Sequence, residues 1–101
     1  MKTIWKFSVS GIGQAHEIEA PGLSRILHFA GKPMADGVIF CWGVVDTDAP
    51  PAKVEVMVIG TGHALPDGRW GYVNTFFETS SIVTFVWHGW AKVSEEERHA
   101  R

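Results

Sequence analysis

Apolar and polar residues alternate along several short stretches of the chain. In residues 3–10, Trp5, Phe7 and Val9 fall on one side and Lys6 on the other, which predicts a half-buried β-strand. Residues 14–20 alternate in the same way, and glycines between the two stretches indicate a turn. The two strands are therefore predicted to form a β-hairpin.

Five further strands are predicted downstream, over residues 25–29, 38–45, 53–59, 70–78 and 82–90. The segment around the first of these also fits helical spacing, although the strand is favoured. Residues 38–45 are apolar on both faces and should form the most buried strand. Turn signals recur at spacings of roughly ten residues, so the predicted fold is all-β and mainly antiparallel, a small sandwich or barrel of about six or seven strands.

A chain of 101 residues suits one domain. We expect residues 1–90 to form it and residues 91–101 to be a polar tail. Within this tail, Ser94 and Glu97 match a helix-capping box, which predicts a short C-terminal helix or, alternatively, a disordered segment.

Charge and cysteine usage limit the expected partners and cellular location of the protein. The formal net charge is −2 and no two Lys or Arg residues are adjacent, so nucleic acid is not an expected partner. A basic patch assembled from residues distant in sequence has no support in the pattern. Cys41 is the single cysteine, lies in an apolar run and fits a reducing cytosol. Neither a signal peptide nor a membrane-spanning run is evident, so we expect a cytoplasmic protein.

Five tryptophans in a chain of this length are unusual. Trp5 and Trp42 lie in strands whose pattern places them in the core, whereas Trp70 adjoins a glycine-rich loop. The last strand carries apolar residues on both faces, which predicts either complete burial or an interface with another chain, including a second copy. The candidate interface residues are Ile82, Val86, Trp87 and Trp90.

The loop over residues 60–69 is the best candidate for ligand binding. Its glycines let backbone N–H groups converge on an anion, and its histidine can transfer protons near neutral pH. The candidate residues, with the tryptophan that follows the loop, are Thr61, Gly62, His63, Asp67, Arg69 and Trp70. An ordinary structured turn is the competing interpretation.

Signals for metal binding or catalysis are weak. His16, His28, His63 and His88 lack the spacing of ligand pairs, so neither a metal nor another cofactor is expected. The serines lack the strand–turn–helix context of a nucleophile elbow. We therefore expect a protein that is not an enzyme; a small hydrolase using His63 with Asp67 is the least favoured alternative.

Residues 1–7, 41–50 and 58–66 together resemble a group of small tailed-phage and prophage proteins of unknown activity. Departures include Thr47 where that group usually has proline, and Ala64-Leu65 in place of Pro-Ile. The resemblance implies a phage-encoded accessory protein acting in a bacterial cytoplasm, and it transfers no catalytic residue.

Three functions follow from these observations. The leading hypothesis is a non-enzymatic module that binds a host or phage protein and modulates it, as an inhibitor does. The second is a protein that binds or sequesters a nucleotide or another small anionic metabolite through residues 60–70. The third is a minor component of the virion.

Overall fold

The computed structural model describes residues 1–92, which form seven β-strands in two sheets. The strands are β1 (Lys2–Val9), β2 (His16–Pro21), β3 (Arg25–Lys32), β4 (Val38–Asp46), β5 (Pro51–Gly60), β6 (Trp70–Thr79) and β7 (Thr84–Lys92). Every hydrogen-bonded pair of strands is antiparallel, so the prediction of a small antiparallel β-sandwich is confirmed. The predicted helix at Ser94–Glu97 lies outside the described residues, and residues 1–92 include no helix able to cross a membrane.

The strands divide between a three-stranded sheet, in the order β1-β4-β3, and a four-stranded sheet, in the order β2-β5-β7-β6. The predicted β1–β2 hairpin is therefore wrong. β1 pairs with β4 and β2 pairs with β5, so the first turn carries the chain from one sheet to the other. Gly11 and Gly13 have positive φ angles in this turn, and the Gly13 amide donates to the carbonyl of Val58. The positive φ angles of these glycines let the chain pass between the two sheets. The alternation of the two strands does not distinguish such a connection from a hairpin.

The hydrophobic core lies between the sheets and includes Phe29, Ile39, Val45, Val56 and Val58. β4 is the middle strand of its sheet, but its residues alternate between buried and half-buried positions. The uninterrupted buried run belongs instead to β5, over residues 56–60. The prediction that β4 is the most buried strand is therefore wrong, because its outer side faces solvent.

Two contacts set how closely the sheets approach. Gly89 of β7 lies directly beneath the ring of Phe29, where an added Cβ would be only 2.1 Å from Cδ2 of that ring. Beside it, the side-chain amide of Asn74 accepts a hydrogen bond from the Phe29 amide (2.7 Å) and donates one to the Phe29 carbonyl (3.0 Å). Asn74 thus joins the edge strand β6 to the edge strand β3, much as a strand neighbour would.

The tryptophans are not distributed as predicted. Trp87 is the core tryptophan, with 5% of its surface exposed. Trp5 lies on the edge strand β1 and is 40% exposed, and Trp42 is half-buried on the outer side of β4. Alternation predicted the side of β1 on which Trp5 lies, but it could not predict that β1 would be an edge. Trp42 was expected in the core because β4 is apolar on both faces, and its outer face is the one that carries Trp42.

The connection from β5 to β6 crosses the four-stranded sheet. Both strands pair antiparallel with β7, which lies between them, so they run parallel and residues 61–69 must pass over β7. The crossing is on the outer side, because the Thr61 hydroxyl bonds to the outward-facing His88. On that side Met57 and Ile59 are 8% and 4% exposed, although neither belongs to the core cluster.

Candidate functional site

A cleft of about 660 Å³ opens at the end of the sandwich where β5 stops and β7 begins. We call it the end cleft. Its apolar walls are formed by Ile12, Met34, Phe85, Val86 and Trp87. Its polar residues are Thr61, His63 and Thr84, with the backbone of Gly60. The lining combines residues from loops at the ends of both sheets with the first four residues of β7.

The end cleft exists because β5 is too short to pair with all of β7. The last residue of β5, Gly60, lies opposite Trp87, so residues 84–86 have no strand neighbour on that side within the described chain. A single hydrogen bond, from the Thr61 amide to the Val86 carbonyl (3.2 Å), continues the pairing before the chain turns away.

The structure separates the predicted ligand-binding residues. Thr61 and His63 line the end cleft, whereas Gly62, Asp67, Arg69 and Trp70 are not among its lining residues. Trp70 begins β6 at the opposite end of the sheet, opposite Lys92. Its indole N–H donates to the Asp67 carbonyl (2.9 Å), and the Lys92 ammonium lies 5.2 Å from its ring centroid.

His63 is held in a defined orientation by β5. The Gly60 amide donates to Nδ1 of His63 (3.2 Å), which makes Nδ1 the acceptor and leaves the proton of the neutral ring on Nε2. A Cβ at position 60 would lie 3.1 Å from His63 Cε1 and 3.2 Å from Trp87 Cζ3. Glycine therefore lets the imidazole approach the strand end closely.

A chain of hydrogen bonds runs outward from Thr61 along the four-stranded sheet. Thr61 Oγ1 lies 2.8 Å from Nε2 of His88, and Thr75 Oγ1 lies 3.0 Å from its Nδ1. The Tyr72 hydroxyl in turn lies 2.7 Å from Thr75 Oγ1. The geometry matches a nucleophile, a base and an orienting group, but the orienting group is a hydroxyl. It supplies no negative charge to stabilise an imidazolium. The hydrogen bonds link the crossing loop to β7 and β6.

Glu78 supports the wall of the end cleft, and sequence patterning missed it. It is 5% exposed and accepts hydrogen bonds from the amides of Met34 (3.0 Å) and Ala35 (2.7 Å) and from the Trp87 indole (3.3 Å). Burial opposes its ionisation, but the three donors, together with the charge of Lys32, outweigh this cost and hold the pKa of Glu78 below its ordinary value. The available signal was its strand face, which it shares with Asn74 and Phe76.

The other reactive groups in the described part of the chain do not assemble into a site. Among residues 1–92, no three His, Cys, Asp or Glu side chains are close enough together to hold a metal ion. Cys41 is fully buried, and burial raises the pKa of its thiol to about 12, so little nucleophilic thiolate is present.

The candidate interface residues also occupy different environments. Ile82, at the tip of the β6–β7 hairpin, is 93% exposed. Val86 lines the end cleft, and Trp90 is half-buried on the outer side of the sheet, edge-on to Tyr72 with ring centroids 5.6 Å apart. Trp87 belongs to the core, so its ring reaches a partner only through the cleft.

The family model described as a domain of unknown function (DUF7352) matches residues 1–100, so the chain belongs to that family. No curated protein and no solved structure matches the chain.

Proposed function

We propose that this member of the DUF7352 family is a non-enzymatic module that binds another protein by taking an apolar side chain into the end cleft. The observation that carries the proposal is an apolar cleft bordered by exposed apolar residues. Met34, on the cleft wall, is 56% exposed, and Ile82 projects from the neighbouring hairpin. Exposed apolar surface around a concave apolar site is typical of a protein interface.

The wall of the end cleft is formed in advance of binding. Glu78 fixes the backbone of Met34 and Ala35, and the same carboxylate accepts from Trp87. A preformed site loses less conformational entropy when a partner binds, which favours affinity for a given contact area.

The end cleft suits a protein side chain better than a small anion. Among residues 1–92, no Lys or Arg lines the cleft, and the Thr61 hydroxyl and His63 Nδ1 are already engaged in hydrogen bonds. An anionic group entering it would lose water without gaining a cationic partner. The resemblance to phage proteins supports a host or phage protein in a bacterial cytoplasm as this partner.

Affinity capture from bacteria that express the protein tests the proposal. The wild type and two variants, Ile82→Glu on the hairpin beside the end cleft and Ile4→Glu on β1, are compared as baits. Ile4 is 56% exposed on the other sheet, so it is a matched control for adding a charge to exposed apolar surface. We expect one protein to be recovered with the wild type and with Ile4→Glu but lost with Ile82→Glu. Equal recovery with all three baits, or no reproducible partner, would contradict the proposal.

A small neutral or weakly polar ligand is the second candidate, because the volume of the end cleft is in the range of ligand pockets. Thermal-shift screening against neutral metabolites, with nucleotides as the anionic comparison, checks it. A stabilising ligand should lose its effect in His63→Ala and keep it in Arg69→Ala, because only His63 lines the cleft. Loss of the shift in both variants would place the ligand elsewhere on the loop.

Two other assignments are tested separately. Mass spectrometry of purified phage particles would detect the protein if it is a minor virion component. Sedimentation of the purified chain would detect a homo-oligomer, and Ile82→Glu should then dissociate it if the end cleft is the self-contact.

A further inference from the structure

The outer face of the three-stranded sheet has a composition unlike the rest of the molecule. Its middle strand, β4, presents Phe40, Trp42 and Val44 outward, each half-buried, between fully buried inward neighbours. Directly opposite Trp42 lie Lys6 of β1 on one side and His28 of β3 on the other. An aromatic strip therefore runs along the middle of the sheet with polar, ionisable side chains on both flanks.

The aromatic rings and their neighbours are in contact. The rings of His28 and Trp42 have centroids 5.9 Å apart and are inclined at 47°. The Lys6 ammonium lies 3.9 Å from the Phe40 ring centroid and 5.9 Å from that of Trp42. A cation is thus already placed beside aromatic faces, as in sites that stack a base and neutralise a phosphate together.

Positive charge is concentrated on this face. Lys2, Lys6, Arg25 and Lys32 are all exposed there, which is four of the nine Lys and Arg residues of the chain. The sequence of the three strands contains a single carboxylate, Asp46, at the end of β4.

Asp46 is also already paired. The amino group of Met1 lies 3.2 Å from its Oδ1, so the aspartate offsets little of the positive charge on the strands. Within residues 1–92, none of the four Lys and Arg side chains on this face lies within 4 Å of a carboxylate, although the charge of Lys32 helps to lower the pKa of Glu78 and that of Lys2 the pKa of Asp46. By contrast, Lys53 and Lys92 on the four-stranded sheet are both paired with glutamates.

We infer that the outer face of the three-stranded sheet binds single-stranded nucleic acid, with bases stacked on Trp42 and His28 and phosphates on the flanking cations. Adjacent strands are separated by about 4.8 Å, so the cations of β1 and β3 lie close on each side of the aromatic strip. Open sheets with central aromatic residues and surrounding basic residues stack unpaired bases in this way. A duplex hides its base faces, and a flat sheet does not enter its grooves, so the single strand is the form that fits.

The net charge of −2 does not oppose this inference. No two of the four cations are adjacent in sequence, and the fold alone brings β1, β4 and β3 together. Whole-chain charge therefore predicts no nucleic-acid partner, whereas the distribution of charge over the folded surface favours one.

Fluorescence anisotropy with labelled oligothymidylate and oligouridylate of about 12 nucleotides tests the inference, since single-strand sites commonly span 4–16 nucleotides. The full chain should bind at about 50 mM salt, and four phosphate contacts predict a slope of about −3 for log K against log salt. Lys6→Gln and Arg25→Gln should each weaken binding several-fold. Lys53→Gln is the matched control, because Lys53 is an exposed cation on the other sheet and should leave the affinity unchanged.

The stacking contribution has its own variants. Trp42→Leu should weaken binding by about tenfold or more, because stacking of one base contributes about 1–3 kcal/mol. His28→Ala should give a smaller loss and, because His28 is exposed, should not affect folding. Thermal melting confirms that each variant is folded.

Three results would overturn the inference: no binding of either oligonucleotide by the wild type, equal losses in Lys6→Gln and Lys53→Gln, or equally tight binding of polyglutamate or duplex DNA. A preference for polyglutamate would assign the face to an acidic protein segment instead. Ile82→Glu should bind oligonucleotides like the wild type, so this inference and the proposed protein-binding cleft fail independently.

Discussion

The outer faces of the two sheets differ in what the chain connections do to them. On the four-stranded sheet, residues 61–69 must cross β7 because β5 and β6 are parallel and lie on either side of it. On the three-stranded sheet, β3 and β4 are joined by a short turn, and β1 leads directly to the other sheet. Within residues 1–92, no connection crosses this second face, which stays open to solvent.

The outward-facing apolar residues of β5 and β4 differ in how deeply they are buried. Met57 and Ile59 point outward from β5 and are nearly as buried as core residues. Phe40 and Trp42 point outward from β4 and are only half-buried, although β4 is also flanked by strands on both sides. Connectivity, more than the apolar character of a strand, therefore decides which apolar surface is available to a partner.

The largest expected effect comes from disrupting the packing between the inner faces of the two sheets. Gly89→Ala would place a methyl group within the ring of Phe29, which is fully buried and has no space to retreat. We expect a loss of about 3 kcal/mol in the free energy of unfolding. Urea denaturation followed by tryptophan fluorescence measures it.

A double variant controls for unrelated effects of the alanine. Phe29→Leu removes the clashing ring edge, so Gly89→Ala should cost less in the Phe29→Leu background than in the wild type. Equal costs in both backgrounds would show that the destabilisation does not come from the contact with the Phe29 ring.

The next largest effect should come from separating the two sheet edges. Asn74→Ala leaves the amide and carbonyl of Phe29 without their side-chain partners on β6. Unpaired backbone groups in a partly buried position should cost about 2 kcal/mol of stability. Asn74→Asp keeps the acceptor but loses the donor, and it should also be destabilised; wild-type stability in both variants would mean that water replaces the bridge.

Pattern in the sequence accounts for the strands better than for their partners. All seven strands were predicted, since alternation depends on the local two-residue period. The β1–β2 pairing was wrong, and so was the core position of Trp5, because both depend on which strands become neighbours. That choice is made by long-range packing, such as the fit of Phe29 against Gly89, which no local pattern encodes.

The same limit applies to the candidate sites. The glycine-rich loop predicted Thr61 and His63, which do line the end cleft, but it also grouped with them Arg69 and Trp70. A connection that crosses a sheet carries its two ends to opposite edges, so closeness in sequence was misleading. Conversely, Lys6 and Arg25 are distant in sequence and share one face.

The third prediction concerns Glu78, which ties β6 to the turn that follows β3. Its folded-state pKa lies below the ordinary value of 4.5, because three hydrogen-bond donors stabilise the carboxylate against the cost of burial. The ionised group therefore contributes stability that is fully present above the unfolded-state pKa. This contribution is lost as the pH falls through the folded-state pKa.

Unfolding of the wild type and of Glu78→Gln, measured between about pH 7 and about pH 3, checks this linkage. The wild type should be the more stable at neutral pH, and the difference should shrink as the pH falls below 4.5. Asp46 also has a lowered pKa, mainly from hydrogen bonds of the Asp48 amide and the chain's amino group, but it is present in both proteins and cancels. A difference that is constant with pH would contradict the role of the carboxylate.

The smallest effect on stability is expected from loosening the loop that covers the outer face of the four-stranded sheet. Thr61→Val keeps the shape of the side chain but removes the hydrogen bond to Nε2 of His88. Its position is exposed, so the loss should be no more than about 1 kcal/mol. Thr79→Val is the matched control, because Thr79 is also exposed and its hydroxyl makes only a 3.4 Å contact within the hairpin.

Local measurements are therefore more informative than global stability for Thr61→Val. Hydrogen exchange should accelerate at residues 61–69, because the crossing loop would be fastened at one fewer point. Cys41 is fully buried beneath the open sheet, so its alkylation requires unfolding. The alkylation rate should therefore rise only as much as the small loss of global stability predicts. If both rates rise together, the loop and the three-stranded sheet open as one unit; if only the loop responds, its cover over Met57 and Ile59 is a separable layer of the fold.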